Sequence, residues 1–423
     1  MRSRKGGPPC TVTPRTEPLR AGIAGPAREP PGSVGASVED RLASLRAAHR
    51  YRFLRSVETA QESRIVLDGR PVVLFCSNNY LGLANHPELK EAAIKATGSF
   101  GCGSGASRLI SGNMRLHEEL EAGIASFMGA PACLLFNSGY AANLGVISSL
   151  MGRGDTIYSD ALNHASIVDG CRLSRAEVRI YRHRDPEHLE SLLRETGENG
   201  RRLIVTDGLF SMDGDLAPLP ALRELAGRYG CLLMLDEAHA IGVMGPGGRG
   251  VAEHFGLEGA ADLTVGTLGK ALGTFGAFVL CGPTLREYFI NTARSFIFST
   301  SLPPPVLAAA CKALEIVQRE PWRRDRLHQH ARSFGEGLRS LGLPAPVPPT
   351  PIQSVVVGED RAAMALCEQL LDHGVYAQGI RPPTVPPGTA RIRFSLMATH
   401  APEDIQKALA ALAFPHHEPE ESL

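Results

Sequence analysis

Three groups in this chain have the clearest capacity for chemistry: an amine, a carboxylate and an imidazole at the ends of apolar runs. Lys270 closes LTVGTLGK (Leu263 to Lys270), a β-like run breaking into a glycine-punctuated turn, and no carboxylate stands in the five positions after it. A lysine so placed is either a solvated loop residue or an amine kept for nucleophilic and base chemistry. The run CLLMLDEAH (Cys231 to His239) ends in Asp236, with His239 three places later. Open α/β sheets collect ligands at the carboxyl ends of their strands, so both runs deliver polar groups where a site is expected.

The elements around them alternate. From Leu116 the pattern gives a helix to Phe127, a strand at Ala132 to Phe136, a turn at 137–140 and an amphipathic helix from Ala141 to Met151. Further strands are expected at Thr156 to Tyr158, Val178 to Tyr181 and Leu203 to Thr206, the last leading into GLFSMDG (Gly208 to Gly214). Such alternation predicts a mostly parallel sheet covered on both faces. A strand, a small-residue turn and a helix N-terminus at 132–141 form either an ordinary βα turn or an anion cradle. His164 opens a helix, where an imidazole either caps and packs or takes part in catalysis. Beyond the proline joint at Ser299 to Pro305, two long helices and strands near 354–357, 375–377 and 390–395 predict a small α+β domain. Arg391 and Arg393 are two apart on a strand and share a face, where they either clamp a carboxylate or stand solvated.

Ahead of these, RIVL, Asp68-Gly69 and VVLF (Arg64 to Phe75) predict a hairpin, and a helix is expected from His86 to Thr97. Residues 1–37 are rich in Pro, Gly and Arg and predict a disordered leader. It has no apolar central segment, so a secretory signal is not expected; its acid-free start leaves a transit peptide open.

The chain has 423 residues with 44 basic and 44 acidic side chains, so overall charge calls for neither nucleic acid nor an anionic membrane. No apolar stretch reaches bilayer length. The nine cysteines are scattered without a C-x-x-C pair, which suits free thiols in a reducing, cytoplasmic setting better than disulfides or a zinc site. No metal site is expected. Two glycine runs, Gly101 to Ala106 and Gly245 to Gly250, nominally fit a dinucleotide fingerprint. The first follows a helical pattern and the second lies ten residues past its strand, so a nicotinamide dehydrogenase is the weaker reading.

In order along the chain, NSGYAAN (Asn137 to Asn143), NHAS (Asn163 to Ser166), DEAH (Asp236 to His239) and TLGK (Thr267 to Lys270) resemble the motifs of the α-oxoamine synthases. The similarity runs from about Asp40 to Phe414. GSGASR (Gly103 to Arg108) and GIRPPTVP (Gly379 to Pro386) resemble the biotin-pathway branch in particular. Glycine acetyltransferases and aminolevulinate synthases are similar through the core but usually lack the second run.

The resemblance implies a pyridoxal 5'-phosphate enzyme of the aspartate-aminotransferase-like α/β fold (fold type I). The expected parts are a leader (1–37) that is not part of the family pattern, an N-terminal segment (38–88), a large cofactor-binding domain (89–302) and a small C-terminal domain (303–423). It implies condensation of L-alanine with a pimeloyl thioester, on coenzyme A or an acyl-carrier protein, with loss of CO2. Lys270 would hold the cofactor covalently and later serve as base, Asp236 would pair with the ring nitrogen, and His164 would stack on the ring. Ser211 and His239 would hydrogen-bond the phenolic oxygen. Gly139 and Tyr140 backbone groups would help seat the cofactor, with Thr267 on its phosphate and Thr300 reaching the neighbouring subunit's phosphate in a homodimer. Arg393 would take the amino-acid carboxylate, with Arg391 structural; Arg50, Asn79, Arg381 and Thr384 would line the acyl-donor side. The alternatives within this picture are a glycine C-acetyltransferase or other sister synthase, and a catalytically silent partner subunit.

Overall fold

The computed structural model describes residues 34–413 except 196, 198 and 199, so most of the expected leader lies outside the described residues. The chain divides into a unit ending at Tyr51 and a unit from Arg52 onward. The first contains helix α1 (Val34–Ala47), which starts four residues before the expected Val38. The Arg46 guanidinium lies 4.4 Å over the Tyr51 ring.

The second unit opens with hairpin β1 (Arg64–Leu67) and β2 (Arg70–Leu74). Its turn residues Asp68 and Gly69 both have positive φ, 48° and 77°, as a two-residue primed turn requires. Helices α2 (Pro87–Phe100) and α3 (Arg115–Met128) follow. Strands and helices then alternate as the pattern predicts: β3 (Ala132–Phe136), α4 (Gly139–Leu150), β4 (Thr156–Asp160), α5 (Ala165–Ser174), β5 (Glu177–Tyr181) and α6 (Pro186–Glu195). The series continues through β6 (Arg202–Asp207), α7 (Leu219–Tyr229), β7 (Leu232–Asp236), α8 (Val251–His254), β8 (Leu263–Thr267) and β9 (Ala277–Cys281).

These strands form one sheet in the order β3-β9-β8-β7-β6-β4-β5. Strands β4 to β8 pair in parallel, while β9 runs antiparallel to both its neighbours. β9 is absent from the sequence expectation, although AFVLC is an unbroken, fully buried apolar run. Apart from the exposed edge strand β5, the sheet is largely buried on both faces. On β7, Leu233 and Leu235 join one core cluster while Met234, between them, joins the cluster on the opposite face. Continuous rather than alternating hydrophobicity follows from that double burial. Each such leucine contributes about 1.5–3 kcal/mol relative to exposure.

After β9 come α9 (Pro283–Thr292), α10 (Arg294–Ile297), α11 (Pro304–Arg319) and α12 (Trp322–Ser340). The remainder is β10 (Ile352–Gly358), α13 (Asp360–Asp372), β11 (Val375–Tyr376), β12 (Gln378–Ile380), β13 (Ala390–Ser395) and α14 (Pro402–Ala413). β13 sits between β10 and β12 in an antiparallel sheet, whereas β11 adds in parallel to β2. The early hairpin therefore shares a sheet with a strand some three hundred positions later. The Ser395 N–H donates to Phe75 O (2.6 Å), tying β13 to the same segment.

The Lys270 turn is fitted against this segment. Gly273 has φ +65°, and a Cβ there would lie 2.5 Å from Ala84 N. Only glycine allows that approach.

Candidate active site

Two parallel strands end in acids. Asp236 closes β7 and is 4 % exposed. Its Oδ1 accepts the Ala238 N–H (2.9 Å) and its Oδ2 accepts Asn143 Nδ2 (2.6 Å), so the carboxylate is held from two sides. Asp207, at the end of β6, is its partner in register. Burial, reinforced by the Asp236 charge, raises the Asp207 carboxyl well above the usual range. Its Oδ2 accepts the His164 backbone N–H at 2.8 Å.

Lys270 stands three residues past β8. Burial lowers its amine to about 8; Asp236 and Asp207 act in the opposite direction, and the Arg393 charge lowers it further. A lysine so perturbed is partly neutral near pH 7–8, the form that serves as nucleophile or base. Thr267, on the same turn, donates its hydroxyl to Gly276 O (2.9 Å) and accepts the Gly269 N–H (3.2 Å).

Two helix N-termini complete this face. Ser138 caps α4 by accepting the Ala141 N–H at 3.1 Å. The N–H groups of Gly139 and Tyr140 begin that helix, where no preceding turn exists to accept them. The Tyr140 ring is exposed and its hydroxyl meets Asp169, so its contribution to an anion would come from backbone alone. His164 caps α5: its Nδ1 accepts the Ser166 N–H (3.2 Å) and lies 2.7 Å from Ser166 Oγ. Burial and the Lys270 charge lower its pKa, against the influence of Asp236.

A third wall comes from β13 and the loop after β2. Arg393 donates through Nε to Ser211 O (2.5 Å) and through Nη2 to Asn78 Oδ1 (3.1 Å) and Tyr80 Oη (3.3 Å). The Tyr80 hydroxyl, pushed up to about 12 by burial, lies 2.7 Å from His239 Nδ1. Burial, with the Lys270 and Arg393 charges, holds His239 well below its ordinary value. Arg391, on the same face of β13, pairs with Asp213 and donates to Thr389 O (3.0 Å). Arg391 thus anchors the Ser211 loop and does not join Arg393 in a clamp.

The remaining expected residues have surroundings of their own. The Thr300 carbonyl accepts Asn137 Nδ2 (2.7 Å), which puts the exposed Thr300 beside the start of α4. The Asn79 amide is occupied at both ends, donating to Gln61 O (3.1 Å) and accepting the Ala84 N–H (3.1 Å). These bonds shape the Tyr80 loop and leave the amide a second N–H and a second lone pair. Arg381 follows β12 and is buried, while Thr384 is exposed. The Arg52 guanidinium reaches Pro382 O at 3.5 Å and its charge lowers the Arg381 pKa, after burial. Arg50 belongs to the α1 unit.

Sequence reasoning gave no roles to Asn143, Asp207, Tyr80 and Ser166. Asp207 ends LIVTD just as Asp236 ends LLMLD, so the signal was available. Asn143 and Ser166 stand inside motifs already singled out. Tyr80 needed the third dimension.

The donor set fits pyridoxal phosphate. A ring nitrogen needs a fixed acid, an aldehyde needs an amine with a neutral fraction, and a phosphate needs unpaired N–H groups at a helix start. Asp236, Lys270 and the first turn of α4 supply them.

The model of the class I and II aminotransferase family matches residues 70–412. The 8-amino-7-oxononanoate synthase of Geobacter sulfurreducens is 55% identical over 379 residues, covering 89% of this chain and 97% of that one. Among solved structures, a serine palmitoyltransferase from S. paucimobilis with a bound PLP–myriocin adduct superposes with a TM-score of 0.85 at 34% identity, covering 89% and 96% of the two chains. An 8-amino-7-oxononanoate synthase from Francisella tularensis superposes with a TM-score of 0.70 at 31% identity, covering 81% and 97%.

Proposed function

Because the chain belongs to the class I and II aminotransferase family, in its 8-amino-7-oxononanoate synthase group, we propose that it joins L-alanine to a pimeloyl thioester with loss of CO2. It is a pyridoxal-phosphate-dependent acyltransferase of the fold type I class, serving biotin synthesis. The cofactor, when bound, supplies an electron sink for the carbon from which a proton and then CO2 are lost.

The chain's own groups do the rest. Lys270 binds the cofactor through its amine and, once displaced, takes and returns the proton at the alanine Cα. A pKa near 8 suits both halves of that exchange. Asp236, fixed by Asn143 and the Ala238 N–H, keeps the ring nitrogen protonated. Arg393, with Tyr80 and Asn78 holding its fork, receives the amino-acid carboxylate. Gly139, Tyr140 and Thr267 hold the phosphate, and Ser211 and His239 orient the ring oxygen. Arg381 and Thr384, with Arg52 close by, fit the acyl-donor side. In this reading two copies of the chain pair, with Thr300 reaching toward the partner's phosphate, and the enzyme works in the cytoplasm. Among the described residues no helix is long and apolar enough to cross a membrane.

The observation that carries the reading is Asp236, held by Asn143 and Ala238 at the end of β7, beside strand β8, which leads into the half-buried Lys270. Borohydride reduction and peptide mapping test it, and a pyridoxyl adduct on Lys270 is expected. A panel of alanine, glycine and serine against pimeloyl, acetyl and palmitoyl thioesters tests the substrates. Turnover confined to glycine with acetyl thioester, or to serine with palmitoyl thioester, would replace the alanine–pimeloyl assignment.

A further inference from the structure

We propose that Asn143 and Ser166 are positioning residues that hold His164 as a neutral imidazole with its proton on Nε2. The inference rests on the reading of His164 as the histidine at the cofactor face, and adds which nitrogen carries its hydrogen.

The chain of bonds begins at Asp236. Asn143, fully buried on α4, places Nδ2 2.6 Å from Asp236 Oδ2 and 2.9 Å from Ser166 Oγ. A carboxylate accepts hydrogen bonds, so the amide must present its nitrogen to Asp236, which fixes the orientation of the whole group. One N–H goes to Asp236 and the other to Ser166. Asn143 Oδ1 is left buried without a hydrogen-bond partner among the described residues. The amide gives up its acceptor in order to donate twice.

Ser166 Oγ receives one of those hydrogens and directs its own toward His164 Nδ1, 2.7 Å away. The Ser166 backbone N–H donates to the same nitrogen at 3.2 Å. Two donors converge on Nδ1, so it is an acceptor and the ring proton belongs on Nε2. Protonating Nδ1 would turn an N–H against the Ser166 N–H and break the α5 cap. The titratable groups acting on the ring are Lys270, Asp236 and His239, while Asp207 holds the His164 backbone N–H at 2.8 Å. His164 then offers a hydrogen-bond donor at Nε2 without bringing a second positive charge beside Lys270.

Nitrogen-15 NMR of histidine-labelled protein, with the His164 signals assigned from His164→Gln, tests this in cofactor-loaded and cofactor-stripped samples. The Nε2–H tautomer is expected in both, because the chain's own residues make the network. Ser166→Ala should raise the His164 pKa by about one unit and populate the Nδ1–H form. Ser166→Thr, which keeps the hydroxyl, should return both toward wild type. An Nδ1–H or doubly protonated His164 in the wild-type protein at neutral pH would overturn the proposal, whether or not the variants fold. So would a Ser166→Ala spectrum indistinguishable from wild type. An Nε2–H signal in protein that makes no product from alanine supports the relay and overturns the substrate assignment instead.

Discussion

Asp207 and Asp236 lie opposite each other in register at the ends of parallel strands β6 and β7, and only Asp236 is held by donors on both oxygens from Asn143 and Ala238. Two acids so close cannot share one role. Asp207 has its carboxyl raised by burial and by its neighbour's charge, whereas Asp236, clamped by two donors, is the one positioned for a cofactor ring.

That asymmetry predicts different outcomes for two equivalent substitutions. Asp236→Asn should lower kcat by about 10²–10³-fold, the usual effect of removing one electrostatic stabiliser from a catalytic centre. Asp207→Asn keeps an acceptor for the His164 N–H and should reduce kcat by less than about tenfold. Steady-state kinetics with alanine and pimeloyl thioester decide; equal losses at the two positions would refute the division of labour.

Much of this site is legible in the sequence, and the reasons are local. Asp236 and Lys270 end apolar runs, and in a doubly covered parallel sheet a run's end is the strand's carboxyl edge. The strand at 132–136 and the helix start at His164 follow from the same grammar, while α4 begins at Gly139, two residues before the expected Ala141. β9 escaped because AFVLC has no alternation to separate a strand from a buried helix turn, and its antiparallel insertion between β3 and β8 breaks the βα rhythm. The pairing of β11 with β2, and of Arg391 with Asp213, joins residues far apart in sequence. Spacing says nothing about such partners.

His183 bridges Asp160 (2.9 Å) and Asp215 (3.0 Å), and Asp215 belongs to the loop that carries Ser211. Burial alone would lower this histidine, but the two carboxylates outweigh it and raise it to about 9. A histidine whose folded pKa exceeds its unfolded 6.5 contributes stability that is complete below 6.5 and lost as pH rises through about 9. Discounted for partial exposure, the loss is about 2 kcal/mol. Thermal melts between pH 6 and 9.5 should show wild type declining toward His183→Gln, whose own curve lacks that decline. Parallel curves would mean the bridge is not charged.

Arg391 and Arg393 share a strand face and should separate cleanly in kinetics. Arg393→Lys removes the planar fork held by Ser211 O, Asn78 and Tyr80, and should raise KM for the amino acid by about 10–100-fold. Arg391→Met breaks the pair with Asp213 and should reduce stability by about 1–3 kcal/mol while changing that KM by less than about threefold. Urea melts beside the kinetics check both. A KM that rises equally in the two variants would restore the two-arginine clamp.

Lys270 gives the most direct pH test. In cofactor-stripped protein, the neutral amine is the form that captures an aldehyde, so uptake should quicken about tenfold per pH unit and level off near 8. An amine in open solvent would keep quickening toward its ordinary 10.5. Asp236 holds the lysine's proton on, against the larger effect of burial, so Asp236→Asn should move the plateau to lower pH even as it impairs turnover. Stability should move with it: between about 8 and 10.5 the unfolded chain carries a proton that the folded one has released, so the stripped protein should gain stability as pH rises across that window. Absorbance-monitored reconstitution and melts on the same samples measure both. Uptake that climbs without a break past pH 10 would place the amine in water and remove the physical basis for Lys270 as the cofactor's anchor.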